Sequence, residues 1–555
     1  MIEFQDVSVA YAVGTQGADV QPQRVAFTGA TFTVPEGELV LVVGPTGAGK
    51  STLLRCINGL VPHFSGGTLR GRVVVDGRDT RVHRPRDLAD LVGFVAQDPV
   101  SSFVTDTVEE EVAYGMEAMG VDATAMRRRV EETLDLMGLS DVRHRALKDL
   151  SGGQQQRVAI GAVLAAGPRI LVLDEPTSAL DPVAAEDVLA TLHRLVHDLG
   201  ITVVVAEHRL ERVIHHADRV LLLESGRVSG LLDPADAMVH SPVFPPVIAL
   251  GRALEWRPLP LSVRDARRRA RELRGSLTPP APSPSPSLSP SPSPSSRTDA
   301  QRPPVTRLER LTVRRGPVVA LREVDLSVRP TEVVALMGRN GAGKSTLLAC
   351  IAGQLQPSGG RVRLGDLDPA RSAPAQIVRR AGLVPQDPSL ILYADTVADE
   401  LATADRDFGL PAGSTAAVLD RVARGVARDQ HPRDLSEGQR VSLALAVVLA
   451  SMPPLVLLDE PTRGLDYAAK RRLVQVLAGL AAQGRAVVLA THDVELAAEV
   501  ATRVVILAEG EVVADGPATD VLAGSPAFAP QVAKILHPLP FLTVDDVVAA
   551  LGQAS

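Results

Sequence analysis

The segment GPTGAGKST, residues 44–52, decides the fold of this 555-residue chain. It follows the apolar run LVLVV, residues 39–43, and matches the phosphate-loop pattern G-x-x-x-x-G-K-[ST] in its required place between a strand and a helix. Glycines let the backbone wrap closely around phosphate, so that amide groups and the helix N-terminus face the anion. The pattern therefore predicts a nucleotide-binding α/β domain with a mainly parallel sheet.

The same sequence pattern occurs twice in the chain. A second loop, GRNGAGKST, occupies residues 338–346 after the apolar run at 333–337. Matched residues recur at nearly constant offsets: Lys50 and Lys344, Gln97 and Gln386, Ser151 and Ser436, Asp174 and Asp459, and His208 and His492. SPVF at 241–244 also recurs as SPAF at 525–528. Each copy therefore includes its own C-terminal extension.

The segment between the copies differs in composition. Residues 279–296 read PPAPSPSPSLSPSPSPSS, which lacks the apolar groups needed for a core and favours extended conformations. A proline-motif ligand is the alternative interpretation of so repetitive a segment. We predict a first ATPase domain with its extension at 1–275, a linker at 276–303, and a second domain with its extension at 304–555.

Composition narrows the class of protein. A net charge of -7 and a pI near 6.0 provide no basic footprint, so nucleic acid is not an expected partner. No signal peptide is expected, because the N-terminal residues contain no basic segment followed by an apolar run.

The apolar stretch 443–458 is too short for a membrane span and contains two prolines, so we predict a buried helix and a buried strand there. Cys56 and Cys350 are predicted to be small buried helix residues.

The two loops are predicted to bind ATP. Lys50 and Lys344 would reach the β- and γ-phosphates, and Ser51 and Ser345 would supply hydroxyls to Mg²⁺. The predicted nucleotide ligands of the first loop are Gly44, Pro45, Thr46, Gly47, Ala48, Gly49, Lys50, Ser51 and Thr52. Those of the second are Gly338, Arg339, Asn340, Gly341, Ala342, Gly343, Lys344, Ser345 and Thr346.

Two carboxylates follow an apolar run in each copy. Asp174-Glu175 ends the first run and Asp459-Glu460 the second, which delivers two acids to the sheet edge where the phosphates lie. Each Asp would hold Mg²⁺ through its water shell. Each Glu would orient and deprotonate the attacking water as the catalytic base.

The segments LSGGQQQR, residues 150–157, and LSEGQR, residues 435–440, distinguish this chain among phosphate-loop ATPases. Each places its serine 23 residues before the Asp of the carboxylate pair (174 − 151 and 459 − 436). With these motifs the chain resembles the ATP-binding-cassette (ABC) family over nearly its whole length outside the linker. The resemblance implies two nucleotide-binding domains, each with a mainly parallel core sheet, an antiparallel β subdomain and a helical signature subdomain. It also implies head-to-tail pairing of the two domains around two ATP molecules.

The resemblance implies further site residues. Gln97 and Gln386 would sense Mg²⁺ and couple to a membrane partner, and His208 and His492 would contact the γ-phosphate. Asp181 and Asp466 would contact the facing site, and Tyr11 would stack on adenine. The signature residues that would contact ATP across the pair are Ser151, Gly153, Gln154, Ser436, Gly438 and Gln439. The implied Mg²⁺ set is Ser51, Gln97, Asp174, Ser345, Gln386 and Asp459.

Two departures distinguish the halves. Glu437 stands in the second signature where the first has Gly152, and Arg315 stands where the first half has Tyr11. A carboxylate near the ATP held by the first loop weakens closure there, although the helix N-terminus offsets part of that effect. We therefore expect two unequal ATP sites that both retain the catalytic Glu.

Three segments indicate a narrower group: residues 58–80, residues 97–115 and AEHRLERV at 206–213. They resemble the ATPases of energy-coupling-factor (ECF) importers, which take up vitamins or transition-metal ions. The resemblance implies a transmembrane coupling protein and a small substrate-binding membrane protein on other chains, with this chain peripheral at the cytoplasmic membrane face. The cargo stays open. The alternatives are a soluble tandem cassette protein acting on ribosomes and the tandem ATPase of a sugar importer.

Overall fold

The computed structural model describes residues 1–12, 23–178, 180, 182–277, 303–423, 425–462 and 464–554. The chain divides into two compact units, Met1–Ser262 and Val263–Ser555. Most of the predicted linker lies outside the described residues, and the predicted domain limits stay predictions.

The described residues of the first unit include ten strands. They are β1 (Ile2–Ala12), β2 (Gln23–Val34), β3 (Leu39–Val43), β4 (Thr68–Val75), β5 (Arg78–Asp79), β6 (Val92–Val95), β7 (Ile170–Asp174), β8 (Thr202–Ala206), β9 (Arg219–Glu224) and β10 (Arg227–Val228). They form one mixed sheet in the order β5-β4-β1-β2-β10-β9-β3-β8-β7-β6. The strands β6, β7, β8, β3 and β9 are parallel neighbours, whereas β1 pairs antiparallel with β2 and β4.

The helices of the first unit follow the strands in sequence. They are α1 (Lys50–Ile57), α2 (Leu60–His63), α3 (Val108–Ala118), α4 (Ala123–Met137), α5 (Gly152–Ala165), α6 (Pro182–His197), α7 (Leu210–Val213), α8 (Pro234–His240) and α9 (Pro246–Ala253). The helices α3, α4 and α5 pack on one another and form the signature subdomain.

The core strands explain where the site lies. β3, β7 and β8 are mainly apolar and fully buried, as expected for parallel strands covered on both faces. β3 pairs with β8, and β8 pairs with β7, all in parallel. Their carboxyl ends therefore share one edge of the sheet. The phosphate loop, the Asp174-Glu175 pair and His208 all follow these strands at that edge.

The second unit repeats this arrangement. Its strands are β11 (Thr306–Arg315), β12 (Val318–Val328), β13 (Val333–Met337), β14 (Gly359–Leu364), β15 (Ala381–Val384), β16 (Leu455–Asp459), β17 (Ala486–Ala490), β18 (Arg503–Ala508) and β19 (Glu511–Pro517). One sheet has the order β15-β16-β17-β13-β18-β19, and an antiparallel sheet has the order β12-β11-β14. The mainly parallel core and the antiparallel sheet confirm the predicted α/β fold.

The helices of the second unit begin before its first strand. They are α10 (Val263–Arg269), α11 (Arg271–Ser276), α12 (Lys344–Ile351), α13 (Pro374–Val378), α14 (Val397–Phe408), α15 (Ser414–Val422), α16 (Glu437–Ala450), α17 (Tyr467–Ala482), α18 (Val494–Val500), α19 (Ala518–Ala523), α20 (Gln531–Leu536) and α21 (Val544–Ala554). α10 packs against α20, and the Arg274 guanidinium donates to the Ile535 carbonyl at 2.9 Å.

Two local predictions are confirmed. The apolar stretch 443–458 forms the buried end of α16 and then β16. Cys56 and Cys350 are free, buried helix residues. Burial raises the pKa of both thiols, to about 11 for Cys350, so neither is a reactive thiolate at neutral pH.

Candidate active site

The first phosphate loop is shaped by glycines. A Cβ on Gly44 would lie 2.4 Å from the Leu223 carbonyl oxygen of β9, and Gly49 has a φ of +102°, so neither position accepts another residue without strain. Lys50 opens α1 and is buried. Its Nζ donates to the carbonyls of Gly44 at 2.8 Å and Pro45 at 3.1 Å. The ammonium group therefore lies across the loop, where a phosphate would bind.

The second loop has the same conformation. A Cβ on Gly338 would lie 2.3 Å from the Leu507 carbonyl oxygen, and Gly343 has a φ of +104°. Lys344 Nζ donates to the carbonyls of Gly338 at 2.8 Å and Arg339 at 3.2 Å. Both halves therefore carry an intact phosphate loop with its lysine in place.

The first carboxylate pair ends β7. Glu175 has a φ of +53°, in the left-handed region that is uncommon for residues other than glycine. Glu175 Oε1 lies 2.7 Å from His208 Nε2, and Glu175 Oε2 accepts a hydrogen bond from Gln97 Nε2 at 3.0 Å. The structure thus brings together three residues that the sequence separates by up to 111 positions (208 − 97).

The second carboxylate pair, Asp459-Glu460, ends β16 in the same way but makes different contacts. Glu460 has a φ of +48°. Its Oε2 lies 2.8 Å from His492 Nδ1, and its Oε1 lies 3.8 Å from Lys344 Nζ. Gln386, Asp459 and Glu460 line one cavity of about 240 Å³. Within the described residues, the bond between Gln97 and Glu175 has no counterpart between Gln386 and Glu460.

The two aspartates have the character of cation ligands. Asp174 and Asp459 are buried, and the Oδ1 atom of each has no hydrogen-bond partner among the described residues. Burial raises the pKa of each carboxyl, and the hydroxyl of Ser51 or Ser345 beside it opposes that rise. A carboxylate and a hydroxyl are hard oxygen donors that suit Mg²⁺, which takes its other ligands from water and phosphate.

The signature residues begin two helices. Ser151 caps α5: its hydroxyl accepts from the Gln154 backbone at 3.3 Å, and its backbone donates to Gln154 Oε1 at 3.0 Å. Ser436 and Gln439 form the same reciprocal cap on α16. A Cβ on Gly153 would lie 2.8 Å from Ala184 Cβ. The hydrogen bonds of these serines and glutamines, so far as the structure describes the chain, stay within their own helix caps.

The residues that distinguish the halves have definite environments. The Tyr11 hydroxyl lies 3.3 Å from Thr52 Oγ1, beside the first loop, and Arg315 is exposed at the end of β11. Glu437 lies against Gly464: a Cβ on that glycine would be 1.7 Å from Glu437 Oε2. Asp466 caps α17 by accepting from the Ala469 backbone at 2.8 Å. Asp181 lies outside the described residues.

Sequence reasoning missed two residues of the first site, Glu207 and Thr177. Glu207 precedes His208 and is buried, and its Oε1 accepts hydrogen bonds from the backbone and hydroxyl of the buried Thr177. The available signal was the difference between Ala206-Glu207-His208 and the matched Ala490-Thr491-His492.

The class of protein follows from these contacts. Each unit joins a phosphate loop, a buried carboxylate pair and a histidine at one sheet edge, and each carries a capped signature helix. This arrangement defines an ATP-binding-cassette ATPase.

Comparisons with known proteins agree. A family profile described as ABC transporter matches residues 27–178 and 321–463. A Streptomyces coelicolor protein named as an ABC transporter ATP-binding protein is 60% identical over 99% of this chain and 100% of its own length. A Methanosarcina mazei protein with that name is 36% identical over 97% of this chain and 92% of its own. An archaeal ribosome recycling factor, solved with a ribosomal stalk protein, aligns at 20% identity over 93% of this chain and 91% of its own, with a TM-score of 0.57. That last likeness shows the fold alone.

The chain therefore belongs to the ABC transporter family, as an ATP-binding protein with two cassettes that hydrolyses ATP to drive transport. Among the described residues, no helix combines the length and apolar character needed to cross a bilayer. Membership of this family implies transmembrane partners.

Proposed function

We propose that this chain is the ATP-hydrolysing subunit of an ECF-type importer for vitamins or transition-metal ions. It would lie peripherally at the cytoplasmic face of the membrane. Its partners would be a transmembrane coupling protein and a small substrate-binding membrane protein. Residues 1–275 and 304–555 would be the two ATPase domains, joined by the linker 276–303.

The observation that carries the proposal is a pair of exposed apolar side chains shortly after Gln97 in the first unit and another pair shortly after Gln386 in the second. Val100 and Val104 follow Gln97 and are 53% and 61% exposed, although Gln97 itself bonds Glu175. Leu390 and Tyr393 follow Gln386 in the same way and are 61% and 82% exposed. Exposed apolar groups of this size favour a protein partner. A partner helix seated there would respond to the state of the ATP site through the glutamine.

In each ATP site the chain supplies defined groups. Lys50 and Lys344 would neutralise the β- and γ-phosphates, and the loop amides would hold their oxygens. Mg²⁺, held by Ser51 with Asp174 or by Ser345 with Asp459, would supply charge neutralisation for the transferred phosphoryl group. Glu175 and Glu460 would take the proton of the attacking water, while His208 and His492 hold these bases in position.

The two domains would pair head to tail, so that each signature serine meets the ATP of the other domain's loop. The helix N-termini of α5 and α16 favour this role, because they present backbone N–H groups and a positive dipole end to an anion. Both sites would hydrolyse ATP, with Glu437 weakening closure over the first loop.

The rival functions have weaker support. A ribosome-associated role rests on likeness of fold to the recycling factor. Residues 279–296 of the linker here form an uncharged Pro/Ser segment, unlike the long charged helical linkers suited to RNA. The tandem ATPase of a sugar importer often has one degraded phosphate loop. Both loops here are intact.

The test is fractionation of the full chain from its native cells. We expect it in the membrane fraction, and after detergent extraction we expect a coupling protein and a small membrane protein to co-purify. Val104→Asp and Tyr393→Asp should release the chain from membranes. Val82 is 74% exposed and lies outside both pairs of apolar residues. Val82→Asp is therefore the matched control and should leave the chain bound to membranes. Sedimentation of the native chain with ribosomes would overturn the proposal.

A further inference from the structure

The carboxylate of Glu207 joins two catalytic segments of the first unit. Glu207 follows β8, and only 2% of its surface is exposed. Its Oε1 accepts hydrogen bonds from the backbone N–H of Thr177, at 2.8 Å, and from the Thr177 hydroxyl. Its Oε2 accepts from the backbone N–H of His208 at 2.9 Å. Thr177 lies two residues after Glu175, so one buried side chain holds the segments that carry the catalytic base and its histidine.

The second unit shows the site without this carboxylate. Thr491 occupies the matched position, and its hydroxyl accepts from the Asp493 backbone at 3.0 Å. Thr462, which matches Thr177, is 2% exposed, and its hydroxyl has no hydrogen-bond partner within the described part of the chain. A buried hydroxyl without a partner is uncommon, because it forfeits its hydrogen bonds to water. The connection between the two segments is therefore specific to the first site.

The histidines differ accordingly. With its backbone N–H held by Glu207, His208 presents Nε2 to Glu175 at 2.7 Å. In the second site the backbone N–H of His492 points to Glu460 Oε2 at 3.4 Å, and the ring presents Nδ1 to the same oxygen at 2.8 Å. The two ring nitrogens are chemically distinct, because a hydrogen bond at one sets the protonation of the other. The two catalytic glutamates thus face different histidine atoms.

The acidic side chain of Glu207 adds to this difference. Burial raises the pKa of Glu207, the Thr177 hydroxyl lowers it, and the nearby Glu175 carboxylate raises it again. Arg212 lies close enough to favour the ionised form, and its guanidinium donates to the Thr177 carbonyl at 3.4 Å. The second site has a neutral threonine in place of this acid.

We propose that Glu207 is a positioning residue of the first ATP site, which fixes the Thr177 segment and the His208 backbone so that Nε2 of His208 meets Glu175. The proposal depends on ATP hydrolysis and not on the transported cargo or the membrane partners. It therefore stands or falls separately from the importer assignment.

The experiment uses the full chain carrying Glu460→Gln, which restricts hydrolysis to the first site. In this background we compare Glu207, Glu207→Thr and Glu207→Gln by steady-state ATPase kinetics and thermal melting. Glu207→Thr copies the second unit. Glu207→Gln keeps an oxygen for Thr177 but places an amide NH₂ opposite the His208 N–H. We expect both variants to lower kcat about fivefold or more with KM for ATP changed less than about twofold, because the groups act after ATP binds.

Each outcome decides the proposal. Glu207→Gln preserves the size of the side chain. If Glu207 only fills space, Glu207→Gln should keep native kcat, and any fall in kcat in Glu207→Thr should parallel a fall in its melting temperature. That pattern, or a kcat within twofold in both variants, would overturn the proposal. If Glu460→Gln alone abolishes turnover, the two sites are coupled, and the same fall in kcat must appear when the Glu207 variants are made in the otherwise native chain.

Discussion

Gly464 and Glu437 form a pair that tests how the second signature is accommodated. Gly464 has a φ of +66°, and a Cβ there would lie 1.7 Å from Glu437 Oε2 and 2.9 Å from Glu437 Cβ. The first half has Gly152 and Ala179 at the matched positions. In the first half the glycine is in the signature, whereas in the second half the signature has Glu437 and the glycine is at 464. Gly464→Ala should therefore be tolerated only when Glu437 is also replaced by glycine.

The expected loss of stability in Gly464→Ala has two contributions. An alanine in the left-handed region costs about 1 kcal/mol relative to glycine. Moving Glu437 aside, with the Cβ contact also too short for a simple rotation, costs about 1–3 kcal/mol more. We therefore expect Gly464→Ala to destabilise the second unit by about 2–4 kcal/mol, and Gly464→Ala with Glu437→Gly to recover about 1–3 kcal/mol of that loss.

The assay is hydrogen–deuterium exchange of the β16 amides, which reports the second unit separately from the first. Gly409→Ala is the control, because Gly409 has the same φ of +66° with no atom within 4 Å of a built Cβ. Gly409→Ala should show only the cost of placing an alanine in the left-handed conformation. The reasoning is refuted if Gly464→Ala is no more destabilising than Gly409→Ala, or if Glu437→Gly brings no recovery.

Two further predictions concern the ATP sites. Lys50→Ala and Lys344→Ala should each reduce ATPase activity. The loss should be larger for Lys344→Ala if, as proposed, Glu437 weakens closure over the first loop; equal losses, together with unchanged turnover in Glu437→Gly, would contradict the asymmetry. Asp174→Asn should lower turnover roughly 100-fold by removing the carboxylate that we propose holds Mg²⁺. The same variant should raise the melting temperature of the nucleotide-free chain by about 2–4 °C at pH 7 without Mg²⁺. Burial raises the pKa of Asp174, so its ionised form destabilises the fold above that pKa, and the gain should shrink as the pH falls towards the ordinary value of 3.8. A lower melting temperature at pH 7 would contradict this account.

Much of the fold could be predicted because its signals are local. A buried strand of apolar residues followed by a glycine loop and a lysine has few alternative structures, and here it occurs twice. The recurrence of Asp174 as Asp459 then located the second pair of acids without any knowledge of the sheet order. The prolines at 453 and 454 were enough to separate a helix from a strand in the longest apolar stretch.

The sequence by itself determined that this chain has two cassettes, each with its own loop, acid pair and signature, because these depend on residue types at short spacing. Only the tertiary structure decided which atoms meet. Gln97, Glu175 and His208 come together because three parallel strands end at one edge. Glu207 bridges to Thr177 for the same reason, and Glu437 requires a glycine at 464 because α16 begins beside the segment before α17. Such contacts depend on distances between segments far apart in the chain, and these distances exist only after the core has packed.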